Sequence, residues 1–168
     1  MANTTVTFAI PVIDANAILE HWQGHRRLTR KVIGAFPENE LFNHSVGGMR
    51  PFSEMVLEML RLAYGGIHGV VDGSWNKAER FNDGAINTKA ALLKAWDEVT
   101  EALDTFFPQI TPERFQETMH AFDNKDWWAG PAYGIIQYFV DNEIHHRGQG
   151  YVYLRSLGIT PPGFWERW

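Results

Sequence analysis

The stretch DNEIHHRGQGYVYLRSLG, residues 141–158, carries most of what this chain says about its fold and its chemistry. Its first nine residues hold two histidines, an arginine, two carboxylates, an asparagine and a glutamine, and an apolar run ending on Gly158 follows. A helix turns about 100° per residue. On that wheel Ile135, Phe139, Asn142, His146, Gln149, Gly150, Tyr153 and Leu157 share one stripe, apolar at both ends and polar in the middle. The interior is therefore expected to meet Asn142, His146 and Gln149 at one level, with His145 turned away. A buried polar group without a partner costs about 1–3 kcal/mol, so this patch must answer another side chain, water or a metal ion. Asp141 with His145, and Glu143 with Arg147, stand four residues apart on two further faces and read as structural pairs. Gly148 and Gly150 are costly inside a helix and point to close approach of another backbone or a bound molecule. Taken alone, one inward histidine beside an amide is more often a hydrogen-bonded core residue than a ligand.

Outward from that helix, the pattern is helical throughout. A first helix is expected over Asp14–Ala35, with Asp14 as N-cap and Pro37 beyond its end. A second starts near Pro51 and Phe52 and ends by Gly73. Its apolar stripe is Phe52, Val56, Met59, Ala63, Ile67 and Val70, and Gly65, Gly66 and Gly69 weaken it. A third spans residues 88–107, closed by Pro108. Thr111-Pro112-Glu113 opens a short extra segment ending near Phe122. The last helix runs from about Pro131 to Leu157, with Gly158 as its C-cap and Pro161-Pro162 stopping it. No segment alternates as a strand would. Four long amphipathic helices with modest connections predict an all-α, four-helix bundle in one domain over residues 1–168, with a short extra helix between the third and fourth.

Composition bounds the function. With 168 residues, 45% of them apolar, and seven tryptophans, the chain can bury a sizeable core. A net charge of −5 and no long Lys/Arg cluster argue against nucleic acid as a partner. HRRLTRK at residues 25–31 reads as a solvated helix face. The absence of cysteine removes disulfides, thiolate metal sites and a cysteine nucleophile. Neither a secretory signal nor a membrane-spanning run is visible, so a soluble, cytoplasmic protein is expected. The tail GFWERW, residues 163–168, is too aromatic for a free end and is expected to pack on the bundle or on a partner chain.

The HHRGQ block followed by YVYLRSLGITPP resembles the end of the last helix in the DinB-like family, the DNA-damage-inducible proteins related to the YfiT-like thiol-dependent transferases. The resemblance extends over nearly the whole chain in helix order and length. It implies a four-helix bundle, cytoplasmic and often dimeric, that holds nickel or zinc with three histidines. Two of these come from an H-x-x-x-H-R-G-Q pattern on the last helix and one from helix two. His146 matches the second histidine of the pattern, and Asn142 stands where the first is usual. EMLRLAYGGIHGVVDG, residues 58–73, matches the helix-two frame and places Glu58 at its ligand position. The implied metal set is thus Glu58, Asn142 and His146. Such a set is harder than three imidazoles and suits manganese or iron as well as nickel or zinc, and a chain without metal is the alternative. Glu58 also reads as a surface residue beside Glu54 and Arg61, although Met55, Leu62, Gly65 and Gly69 flank it as the edge of a cleft would. His21, His25, His44, His68 and His120 match no ligand spacing and read as surface or structural.

Two functions follow from the resemblance. One is a metal-dependent thiol transferase or hydrolase acting on a small molecule, with Tyr153 and Gln149 lining the pocket and Arg147 orienting the neighbouring acid. The other is a non-catalytic, stress-linked binding protein that keeps the fold without the three-histidine site. For such a protein Trp127, Trp128, Phe164, Trp165 and Trp168 supply aromatic surface. A homodimer is expected in either case.

Overall fold

The computed structural model describes residues 13–81, 84–126 and 129–168. Four long helices form its body: α1 (Ala15–Ala35), α3 (Phe52–Asp72), α4 (Lys89–Phe106) and α6 (Ala132–Ser156). Two short helices, α2 (Glu38–Asn43) and α5 (Pro112–Gln116), lie between them. Helix α1 packs on α4 and α6, and α3 packs on the same two, which closes the ring α1–α4–α3–α6. The expected ends hold because local chemistry sets them. Asp14 Oδ1 accepts from the Ala17 N–H at 2.8 Å, and Thr88 and Thr111 cap α4 and α5 in the same way. Gly158 takes φ +74° just past α6, where a side chain would be strained.

The apolar stripe foreseen on α3 is the inner face: Phe52, Val56, Met59, Ala63, Ile67 and Val70 are all buried. They meet Trp22, Trp96, Val99, Ile135 and Tyr153 in one continuous core. The glycines of α3 fill a role opposite to the expected weakening. A Cβ on Gly65 would sit 2.6 Å from Ala78 Cβ, and one on Gly69 would sit 2.0 Å from Trp75 Cδ2. Both contacts come from a 3₁₀ helix, Trp75–Phe81, that lies against α3. Seven residues are too few for a helical period to show in sequence. On α6 the two glycines divide: Gly150 admits the Phe52 ring, with a built Cβ 2.5 Å from Phe52 Cε2, whereas Gly148 faces open space.

Two expectations need correction. The segment after α5 is not helical to Phe122: Thr118–His120 (β1) pairs antiparallel with Ala129–Pro131 (β2). Three-residue strands carry no alternation to read, and their pairing is decided by contact across a loop. The stretch 25–31 is not a solvated face throughout, because His25 and Arg26 are buried while Arg27, Arg30 and Lys31 remain outside. The tail is pinned by its backbone rather than by its rings. Arg27 Nε donates to the Arg167 carbonyl at 2.6 Å and Lys31 Nζ to that of Glu166 at 3.0 Å. Phe164, Trp165 and Trp168 stay exposed, Trp168 at 88%. Trp127 and Trp128 lie outside the described residues. Among those described, no helix is long and apolar enough to cross a membrane.

Candidate functional site: a polar cluster between α3 and α6

Helices α3 and α6 bring Glu58, Asn142 and His146 together. Asn142 Nδ2 donates to Glu58 Oε1 at 2.9 Å, and His146 Nε2 lies 3.0 Å from the same oxygen. His146 is 7% exposed, while His145 one residue earlier is exposed, as a 100° step requires. The Gln149 side-chain oxygen lies 2.7 Å from His146 Nδ1. A carbonyl oxygen only accepts, so Nδ1 carries a proton and Nε2 is the atom turned to Glu58. Glu58 is therefore no surface decoration: its carboxylate closes a polar niche between two helices, which the helical wheel of α3 alone leaves half in solvent.

A fourth member, Arg50, had no signal in the helical pattern because it stands before α3. Its Nη2 donates to Glu58 Oε2 and lies 3.4 Å from His146 Nε2. The loop that carries it turns on Gly47 and Gly48, both with positive φ (60° and 78°), a backbone that glycine adopts without strain. Tyr153, buried in the core, fixes the loop's end by donating its hydroxyl to the Arg50 carbonyl at 2.9 Å. Gln149 Nε2 also reaches Met49 Sδ at 3.7 Å. The sequence GGMRP, residues 47–51, is the one available hint: a flexible pair followed by a cation at a helix start. Burial pushes the Glu58 carboxyl up, but hydrogen bonds from Arg50, Asn142 and His146 outweigh it and hold the group down at about 2. Glu58 is thus anionic at any ordinary pH, and its counter-charge is Arg50.

The cluster does not fit a resident metal ion as it stands. The guanidinium takes up the carboxylate and stands at the imidazole nitrogen. Asn142 turns N–H rather than oxygen toward Glu58; its own Oδ1 is buried without a hydrogen-bond partner. Reversing that amide would set oxygen against oxygen. Among the described residues no group of three His, Cys, Asp or Glu side chains is placed to hold an ion.

A second polar network fills the α1–α6 interface. Glu143, 2% exposed, accepts from Thr29 Oγ1 at 2.7 Å and Trp22 Nε1 at 3.3 Å. Arg26 and Arg147 stand 3.8 and 3.7 Å from its oxygens. The Glu143–Arg147 pair is structural, as its spacing implied, but it is buried. Arg147 Nη2 donates to His25 Nδ1 at 2.9 Å, which leaves the proton of the neutral ring on Nε2, 3.1 Å from His21 Nε2. Burial first, then the charges of Arg147, Arg167 and His21, lower His25 to about 3. The folded chain keeps this ring neutral, whereas the unfolded chain protonates it near its ordinary value of about 6.5. The stability it contributes is complete above that value and is lost as pH falls toward 3. The melting temperature should therefore fall between pH 6.5 and 5, and His25→Gln should flatten that slope. An unchanged slope in the variant would remove His25 as its cause.

A groove of about 1070 Å³ opens elsewhere, lined by Ile18, Ile110, Phe115, Val140 and Asp141 among others, and none of its lining residues belongs to the Glu58 cluster.

The sequence profile of the DinB family matches residues 1–168. The chain belongs to the DinB family. It is 22% identical to Bacillus subtilis YjoA over 157 residues, 92% of this chain and 97% of that protein. The crystal structure of YjoA, a DinB-like protein, superposes with a TM-score of 0.68 at 21% identity, covering 88% of this chain and 96% of the other. A DinB-like protein from Bacillus cereus gives 0.65 at 16% identity, over 88% and 95%. At these identities the likeness establishes the fold. Within this DinB family chain the H-R-G-Q block, His146–Gln149, serves two neighbourhoods. His146 and Gln149 face the Glu58 cluster, and Arg147 belongs to the buried Glu143 network.

Proposed function

We propose that this chain is a binding member of the DinB family that receives a small molecule at the α3–α6 cluster without a resident metal ion. The observation that carries the reading is Arg50: a fixed cation already neutralises Glu58 and stands at His146 Nε2. The cluster is half open, with side-chain exposures of 37% for Arg50, 29% for Glu58 and 9% for His146. Ligand polar groups can thus meet charged and hydrogen-bonding groups at the surface while His146 stays held from below by Gln149. Metal-assisted transfer or hydrolysis, the other function implied by the resemblance, needs an ion with open positions, and the donor atoms here are engaged by the guanidinium.

The test is metal content after purification without chelators, followed by calorimetry of the wild-type chain with nickel, zinc and manganese. Less than about 0.1 equivalent of metal is expected, with no binding tighter than about 0.1 mM, against the apparent 10–16 kcal/mol of dedicated zinc sites. Stoichiometric, micromolar nickel or zinc binding lost in His146→Ala would restore the metal-dependent reading.

A further inference from the structure

We propose that the groove between the N-terminal ends of α1 and α6 is a second binding site, for a small molecule with an apolar body and an ammonium group. None of its lining residues belongs to the Glu58 cluster, so the site is independent of the reading above.

Two helix faces make its walls. Asp14, Ile18 and His21, at and beyond the cap of α1, stand four and three residues apart and share one face. Tyr133, Gln137 and Asp141 stand four apart on α6 and share another. Between them Ile110, Phe115 and Val140 supply a buried apolar lining. At about 1070 Å³ the groove matches sites for small molecules, which are commonly about 300–1,000 Å³. It leaves two large apolar side chains in water, Ile13 at 66% and Tyr133 at 39% exposure. An apolar body in the groove would cover both.

The charge of the lining selects the head group. Among the described residues that line the groove are two aspartates, Asp14 and Asp141, and no lysine or arginine. Asp141 is exposed and has no hydrogen-bond or ion-pair partner among the described residues; the pairing expected with His145 does not form. Asp14 gives one oxygen to the Ala17 N–H and keeps the other. Tyr133 adds a ring face, which attracts a cation. Two features suit an anion instead. One is the start of α6, where Pro131 supplies no side-chain cap. The other is His21, whose Nε2 accepts from His25 at 3.1 Å and whose own proton is then on Nδ1. Both are weaker than the aspartates. A helix start carries about half a charge, and the first N–H of α6 is already taken by the Glu117 carbonyl at 3.0 Å. The His21 N–H is a dipole set against two carboxylates. An ammonium group therefore meets opposite charge in this groove, and a carboxylate head group meets like charge.

The test is calorimetry of the full chain at pH 7.5 with three probes that share one indole body: tryptamine, tryptophol and indole-3-propionate. Wild type should bind tryptamine at least tenfold more tightly than tryptophol, and indole-3-propionate least. Asp14→Asn combined with Asp141→Asn should bring tryptamine to the level of tryptophol. Asparagine keeps the size of both side chains and caps α1 as aspartate does. Ala17→Trp, which sets a ring on the exposed α1 edge of the groove, should abolish binding of all three. Thermal melts establish that each variant is folded. Equal affinities for the three probes, a preference for indole-3-propionate or no tryptamine binding by wild type would each overturn the proposal. So would an ammonium preference that survives the double variant, or tryptamine binding that survives Ala17→Trp.

Discussion

Glu143→Ala should destabilise the chain by about 3–5 kcal/mol, because it strips the carboxylate that lies within 4 Å of both buried guanidinium groups, Arg26 and Arg147. Arg26 is fully buried, stacked 3.5 Å over the Trp96 ring, and its Nη1 already lacks a hydrogen-bond partner. Burial lowers it to about 10, with Glu143 and Asp97 opposing the fall, so it is still charged at neutral pH. Arg147 is 6% exposed and would lose the same partner. Trp22 Nε1 and Thr29 Oγ1 would lose their acceptor as well. Against a total stability of about 5–15 kcal/mol this is a large fraction, and at about 2–4 °C per kcal/mol the melting temperature should drop by roughly 6–20 °C. The surface pair Arg30–Asp97 is the comparison. Its side chains are 50% and 41% exposed, and Asp97→Ala should cost no more than about 1 kcal/mol despite a better-formed bidentate contact. Urea unfolding of both variants decides the matter: equal losses would mean that water reaches Glu143.

Gly66→Ala and Gly148→Ala should move stability in opposite directions. Both glycines lie inside helices, where alanine is intrinsically favoured by about 1 kcal/mol. At Gly148 a Cβ meets nothing within 4 Å, so the variant should be more stable by about 0.5–1 kcal/mol. At Gly66 the Cβ would lie 2.1 Å from Phe139 Cε2. That ring is 3% exposed and is hemmed in by Trp22 and Phe122. Moving it forces α3 away from α6, at a cost of about 1–3 kcal/mol net of the helical gain. The strain also reaches the Glu58 cluster, because the α3–α6 spacing sets the Glu58–His146 distance. Thermal melts that place both variants on the same side of wild type would show that the Phe139 contact does not set this spacing.

The bundle was legible because helix signals are local. Apolar spacing on α3 and α6, threonine and aspartate caps, and a glycine after the last helix each act within a few residues of chain. The same wheel separated His146 from His145 correctly, since a one-residue step turns a side chain to another face. The pairing of Glu58 with Asn142 and His146 came from the family frame rather than from periodicity, which leaves Glu58 between two readings.

What the sequence determined by itself is the four long helices, their inward faces and the level at which the last helix turns polar. All of these are properties of a repeating backbone with side chains at fixed angles. What only the tertiary structure decided is how distant polar groups pair. Arg50 reaches Glu58 and His146 because a glycine turn folds a loop back over two helices. Arg26, in a basic run that reads as solvated, is buried because Trp96 and Glu143 arrive from other helices to meet it. A charge in sequence has no partner written beside it. Its desolvation and its compensation are both settled by what packs across from it, and in this chain that choice places an arginine where the family frame implies a metal ion.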